Sequence, residues 1–100
     1  MLVKVFIRRC FKKGKNKEVL ALLNEFRSGA MNRPGYVSGE TLVAHDDPRE
    51  LLVIGTWQGM DYWLAWKENS VRKNFEKMLE LYQEEPTAYE TWVLGAPLRD

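Results

Sequence analysis

Hydrophobic side chains recur every second residue in four stretches of this chain and every third or fourth residue in the regions between them. The order of those two periods leaves few folds open. Residues 2–11 alternate: Val3, Val5 and Ile7 fall on one side, and Leu2, Phe6 and Cys10 fall on the other with Lys4 and Arg8. The helical period follows over 17–28, where Val19, Leu22, Leu23 and Phe26 stand at i, i+3, i+4 and i+7; Asn16 is placed to cap this helix and Gly29 to end it. Pro34-Gly35 is a turn signal. Alternation returns over 36–44, with Val37, Thr41 and Val43 opposite Tyr36, Glu40, Leu42 and Ala44, and again over 50–57; the His45-Asp46-Asp47-Pro48 turn joins the two as a hairpin. A short helix is expected over 60–67 behind Gly59, and Asn69 or Ser70 can cap a second over 71–83. That second helix carries the stripe Val71, Phe75, Met78, Leu79 and Tyr82, which should face the sheet. Pro86 stops it, residues 87–95 alternate once more, and Pro97 to Asp100 form a tail. The order β-α-β-β-α-β predicts an α+β, ferredoxin-like fold: a four-stranded antiparallel sheet with helices on one face. One domain spans 1–100.

Two helical regions cover one face of such a sheet. The other face should be apolar too, because Leu51-Leu52-Val53-Ile54 puts two aliphatic residues on each side, and Phe6, Leu42, Trp92 and Leu94 add bulk to whichever face they take. A small monomer does not leave a patch of several hundred Å² wet. The expectation is a homodimer packed sheet against sheet, a dimeric α+β barrel.

Composition narrows the partners. Lys plus Arg is 15 and Asp plus Glu is 14, a net charge of +1, which argues against a nucleic-acid surface. The basic run Lys12 to Lys17 lacks the interleaved aromatics of a nucleic-acid platform and reads as a solvated turn. No apolar run approaches the roughly 20 residues of a membrane span. The N-terminal MLVKVFIRRCFKK lacks a signal peptide's order of residues, so the expected location is the cytoplasm. The single Cys10 cannot form an internal disulfide, and the single His45, in a turn with Asp46 and Asp47, is ordinary turn chemistry rather than a metal site.

Candidate binding residues are aromatic and cationic. Trp63 and Trp66, three apart, share a helix face, and Trp57 ends a strand; core packing and a cleft wall are both open to them. Arg8 and Arg9 point to opposite faces of the first strand, so one of them faces the helices, where it can bind a carboxylate or phenolate or pair with Glu40 or Glu90. Cys10 beside them reads as a small apolar side chain, although neighbouring cations can lower a thiol pKa. Tyr36, Tyr62, Tyr82 and Tyr89 can donate to a ligand oxygen.

The segment RPGYVSGETLVAHDDPRELLVIGTW, followed by DYWLAWKENSVRKNFEKMLE, resembles the antibiotic biosynthesis monooxygenase family of dimeric α+β barrels. The carriers are Pro34-Gly35-Tyr36 leading into Gly39-Glu40, the Asp47-Pro48 turn, Trp57, and then Trp63, Trp66 and Ser70. The resemblance implies a cleft between helices and sheet in each subunit, and, in oxygenase members, small phenolic substrates with no metal, flavin or nicotinamide. The position of Trp66 matches one that lines the ligand cleft in haem-degrading relatives, which suggests Phe75 and Leu79 as neighbours and Trp57, Arg8 or Arg9 as further contacts. Glu76 stands about where those relatives carry a histidine that ligates iron, and Arg72 stands where others carry a histidine after the serine. The resemblance therefore implies a cofactor-independent monooxygenase acting on a quinol, polyphenol or similar small aromatic. The alternative is a non-catalytic dimeric barrel that binds a small ligand, and no catalytic residue stands out.

Overall fold

The computed structural model describes residues 1–95, so the expected tail at Pro97 to Asp100 lies outside the described residues. Four strands form one antiparallel sheet: β1 (Val3–Cys10), β2 (Tyr36–Val43), β3 (Glu50–Trp57) and β4 (Ala88–Val93), in the spatial order β2-β3-β1-β4. Three helices, α1 (Asn16–Met31), α2 (Met60–Lys67) and α3 (Ser70–Glu80), complete the ferredoxin-like α+β arrangement.

Register fixes the two faces. Val3, Val5, Ile7 and Arg9 pair across to Trp57, Gly55, Val53 and Leu51 on the covered face. Lys4, Phe6, Arg8 and Cys10 pair with Thr56, Ile54, Leu52 and Glu50 on the other. The core on the covered face holds Val5 and Leu79 without exposure, together with Val19, Phe26, Trp57, Trp63 and Trp66. On the opposite face Leu42 and Trp92 are 46% and 59% exposed.

Several local expectations need correction. Asn16 does not cap α1: it is the first helical residue, and Lys15 holds the cap position without a side-chain bond. Gly29 does not end that helix, which runs on to Met31 and closes at Asn32. Gly29 lies beside the Trp66 indole, where an added Cβ would sit in ordinary contact, 3.6 Å from the ring. The glycine that reverses the chain is Gly35, at φ +81, and Tyr62 packs so closely over it that any Cβ would collide with the ring.

A β-bulge between Tyr36 and Ser38 turns the start of β2 over. Tyr36 pairs with Trp57 and Ser38 with the very next β3 residue, Thr56. Tyr36, placed on the Glu40 and Leu42 side by strict alternation, therefore faces inward.

The inward face of α3 is also rotated from its apolar stripe. Val71 and Met78 are exposed, Phe75 and Tyr82 are half-buried, and the buried residues are Arg72, Glu76 and Leu79. The cause is Arg9, which enters the helix layer from β1 and draws the carboxylate of Glu76 toward it. Asn69 caps α3 as expected, its Oδ1 accepting the Val71 N–H at 2.8 Å.

Candidate functional site: an aromatic cavity beside a buried arginine network

A cavity of about 90 Å³ lies between the covered sheet face and the helices. Val5, Ile7 and Val53 form its floor, Trp57 and Tyr36 one wall, and Trp63 and Trp66 of α2 its roof, with Phe26 of α1 closing the side. The aromatic rings are locked edge to face: Tyr36 meets Trp57 at 5.3 Å and 88°, and Phe26 meets Trp66 at 6.2 Å and 66°. Gly39 and Gly55 line the sheet side, and a Cβ on Gly39 would strike the Tyr36 hydroxyl, so the missing side chain is what seats Tyr36 over the strand. Arg27, Glu40 and Thr41 mark the mouth, between α1 and the edge strand β2. There the Arg27 guanidinium donates to the Gly39 carbonyl at 3.2 Å.

Behind the cavity lies a buried polar network. Arg9 donates to both oxygens of Glu76, at 2.6 and 2.8 Å, and to Gln83 and Thr87 at 3.2 and 3.1 Å. Thr87 and Tyr89 donate to the same carboxylate at 2.9 and 3.2 Å. Arg72 donates from Nη2 to the Tyr89 hydroxyl at 3.0 Å and stands 3.5 Å from Glu76. Burial acts to raise the Glu76 carboxyl, but the Arg9 bonds and charge, with help from Thr87 and Arg72, outweigh it and hold the group below the usual carboxylate range. Burial pushes the Tyr89 phenol up, against the pull of Arg72. Cys10 is a free thiol whose pKa is also raised by burial and by the nearby Glu84, so the cations beside it do not activate it.

The expected site residues divide. Trp66 and Trp57 are both buried and both line the cavity. Phe75 stacks on Phe26 at 5.2 Å, and Leu79 is fully enclosed; neither lines the cavity. Arg8 lies on the opposite sheet face, 3.6 Å from Glu90 with both side chains about half-exposed. The arginine facing the helices is Arg9, and its terminal nitrogens are engaged by Glu76, Gln83 and Thr87. The cationic side chain that reaches the cavity interior is Arg72. His45 is fully exposed in its turn, paired only with the adjacent Asp46. Among the described residues no three His, Cys, Asp or Glu side chains converge to hold a metal ion, and no helix is long and apolar enough to cross a membrane.

The sequence profile of the antibiotic biosynthesis monooxygenases matches residues 2–78, which covers the strands and helices that build the cavity. The chain belongs to the antibiotic biosynthesis monooxygenase family. Solved structures with the same fold include SnoaB, a cofactor-independent oxygenase from Streptomyces nogalater, at 14% identity and a TM-score of 0.84, covering 99% of this chain and 98% of that one. A conserved protein of Methanosarcina mazei matches at 13% identity and 0.86, covering 92% and 91%. Rv0793 of Mycobacterium tuberculosis matches at 17% and 0.83, covering 100% and 98%. No functionally curated protein matches the sequence. Within the antibiotic biosynthesis monooxygenase fold, then, this chain carries an aromatic-lined cavity whose inner end is cationic.

Proposed function

We propose that this family member is a cofactor-independent monooxygenase of a quinol, polyphenol or similar small aromatic, with the cavity under Trp66 as its substrate site. The observation that carries the reading is the cavity lining: Trp57, Trp63, Trp66 and Tyr36 offer aromatic faces and edges around a space on the scale of a single ring. In the proposed reaction the substrate supplies all the electrons. In the keto tautomer of the phenol a ring carbon next to the carbonyl bears two hydrogens; made electron-rich by loss of one proton, it reduces dioxygen, one oxygen atom becomes the new carbonyl and the other leaves as water with the two hydrogens. The chain's contribution is to strip water from the substrate, orient it and favour its anion.

The working unit in this proposal is a homodimer packed through the outer sheet face. The half-buried Phe6, Leu52 and Ile54 and the exposed Leu42 and Trp92 support it. The lone unpaired thiol of Cys10 suits the reducing cytoplasm.

Oxygen uptake with a panel of hydroquinones and other single-ring polyphenols tests the activity. Turnover that falls at least tenfold in Trp66→Ala is the expected result. Saturable binding without any oxygen consumption favours the second reading, a ligand-binding barrel with no turnover. What favours that reading is that the buried carboxylate near the cavity, Glu76, is already committed to Arg9 and cannot serve as a free base.

A further inference from the structure

The polar network behind the cavity does not balance. Arg9 and Arg72 are 4% and 2% exposed, and among the described residues the only carboxylate between them is Glu76. Two cations against one anion leave a surplus positive charge in the interior. The Lys67 ammonium, 4.7 Å over the Tyr89 ring, adds to it rather than offsetting it. Glu40 borders the cavity mouth, but its register opposite Ile54 turns its side chain to the outer sheet face.

The surplus resides on Arg72. Arg9 holds both oxygens of Glu76 at close range, whereas Arg72 reaches that carboxylate only at 3.5 Å and donates to Tyr89 instead. The Nε of Arg72, like that of Arg9, is buried with no hydrogen-bond partner among the described residues, but the terminal nitrogens of Arg9 bond to Glu76, Gln83 and Thr87 while those of Arg72 make one such bond, to Tyr89. The guanidinium is held in place by rings on three sides: Trp63 at 5.1 Å, Tyr89 at 5.4 Å and Phe26 at 5.5 Å. Trp63 and Phe26 line the cavity, and so does Arg72. A cation this buried, under-bonded and fixed by packing presents a preorganised donor to whatever enters the cavity.

We infer that the cavity selects an aromatic anion, a planar ring bearing a carboxylate or an ionised phenol, and that Arg72 is its specificity-determining contact. This rests on the reading of the cavity as the ligand site and adds a charge to the ligand. An anion seated at Arg72 balances the Arg9, Arg72 and Glu76 charges, and the surrounding rings exclude the water that would otherwise weaken the contact. A neutral ring of the same shape leaves the guanidinium under-bonded.

The test compares isosteric probes by quenching of tryptophan fluorescence: benzoate against benzamide, and, in mildly alkaline buffer, 4-nitrophenolate against 4-nitroaniline. The expected result is at least tenfold tighter binding of one or both anions than of their neutral partners, with the pair that discriminates telling carboxylate from phenolate. That preference collapses to less than threefold in Arg72→Gln, while affinity for the neutral probe stays within threefold. Equal binding of anion and neutral probe overturns the inference and leaves the cavity as the ligand site. A preference that survives in Arg72→Gln overturns the role of Arg72. No quenching by any probe defeats the cavity reading, and the inference with it. Should Arg72→Gln fail to fold, a crystal structure of the wild-type protein with the tighter anion decides. An anionic oxygen within hydrogen-bond distance of the Arg72 guanidinium upholds the inference, and an anion bound elsewhere overturns it.

Discussion

Arg9 and Arg72 approach the same carboxylate, yet their removal should have different consequences. Arg9 makes two short bonds to Glu76, so Arg9→Met strands a buried carboxylate and its other donors. The expected loss is about 3–5 kcal/mol in urea unfolding, the usual cost of breaking one side of a buried pair. Arg72→Met leaves that pair intact and should cost clearly less, even though Phe26, Trp63 and Tyr89 no longer face a cation. Acid should expose the same network. Glu76 has a folded pKa below its ordinary 4.5, so its contribution is complete above that value and fades as pH falls through the lower folded value. Unfolding free energies measured from pH 7 down to pH 3 should drop, and Glu76→Gln should flatten that decline. At Gly39 even one methyl group matters: Gly39→Ala should push the Tyr36 ring off its seat, detectable as a change in the Trp57 environment by near-ultraviolet circular dichroism.

Among the elements, α3 depends most on a single cap. Asn69→Ala removes the acceptor of the Val71 N–H and should cost about 1 kcal/mol, measured by thermal or urea unfolding. This helix also marks the limit of what its own residues announce. Its position, its cap and its amphipathic character are readable from Asn69 onward, but the face it buries is not. An apolar stripe points Val71 and Met78 inward. The structure turns Arg72 and Glu76 inward instead, because Glu76 answers an arginine 67 residues earlier in the chain. Charge complementarity across that separation leaves no periodic trace. In α1 Gly29, a residue suited to end a helix, sits inside one that runs on to Met31. For the cavity, Trp66 and Trp57 stand out by residue type, while Tyr36 is reached only through a bulge that alternation cannot show.

For the molecule as a whole, the order of strands and helices follows from the switching periods, since each segment long enough to show a period formed the expected element. The outer sheet face carries the remaining large-scale prediction. Ile54 sits near the middle of that face, opposite Phe6 and Glu40. Ile54→Lys should convert the proposed dimer to a monomer in sedimentation velocity while leaving the circular dichroism of the fold unchanged. A wild-type chain that sediments as a monomer at micromolar concentration would contradict the dimer outright.

The bulge in β2 makes chain length, rather than residue identity, a control on the cavity. Two residues, Tyr36 and Val37, compete for the place opposite Trp57, and the extra residue lets the tyrosine take it. Removing Val37 leaves Tyr36 in that place on a regular strand, so the cavity wall survives. Removing Tyr36 hands the place to Val37 and replaces a phenol with an isopropyl group beside Trp57. Because β2 is an edge strand, either deletion is absorbed by the turn at Gly35 and by one neighbour, β3. A lineage could therefore widen or restore this pocket through single-codon losses at adjacent positions, with the tryptophans beneath untouched.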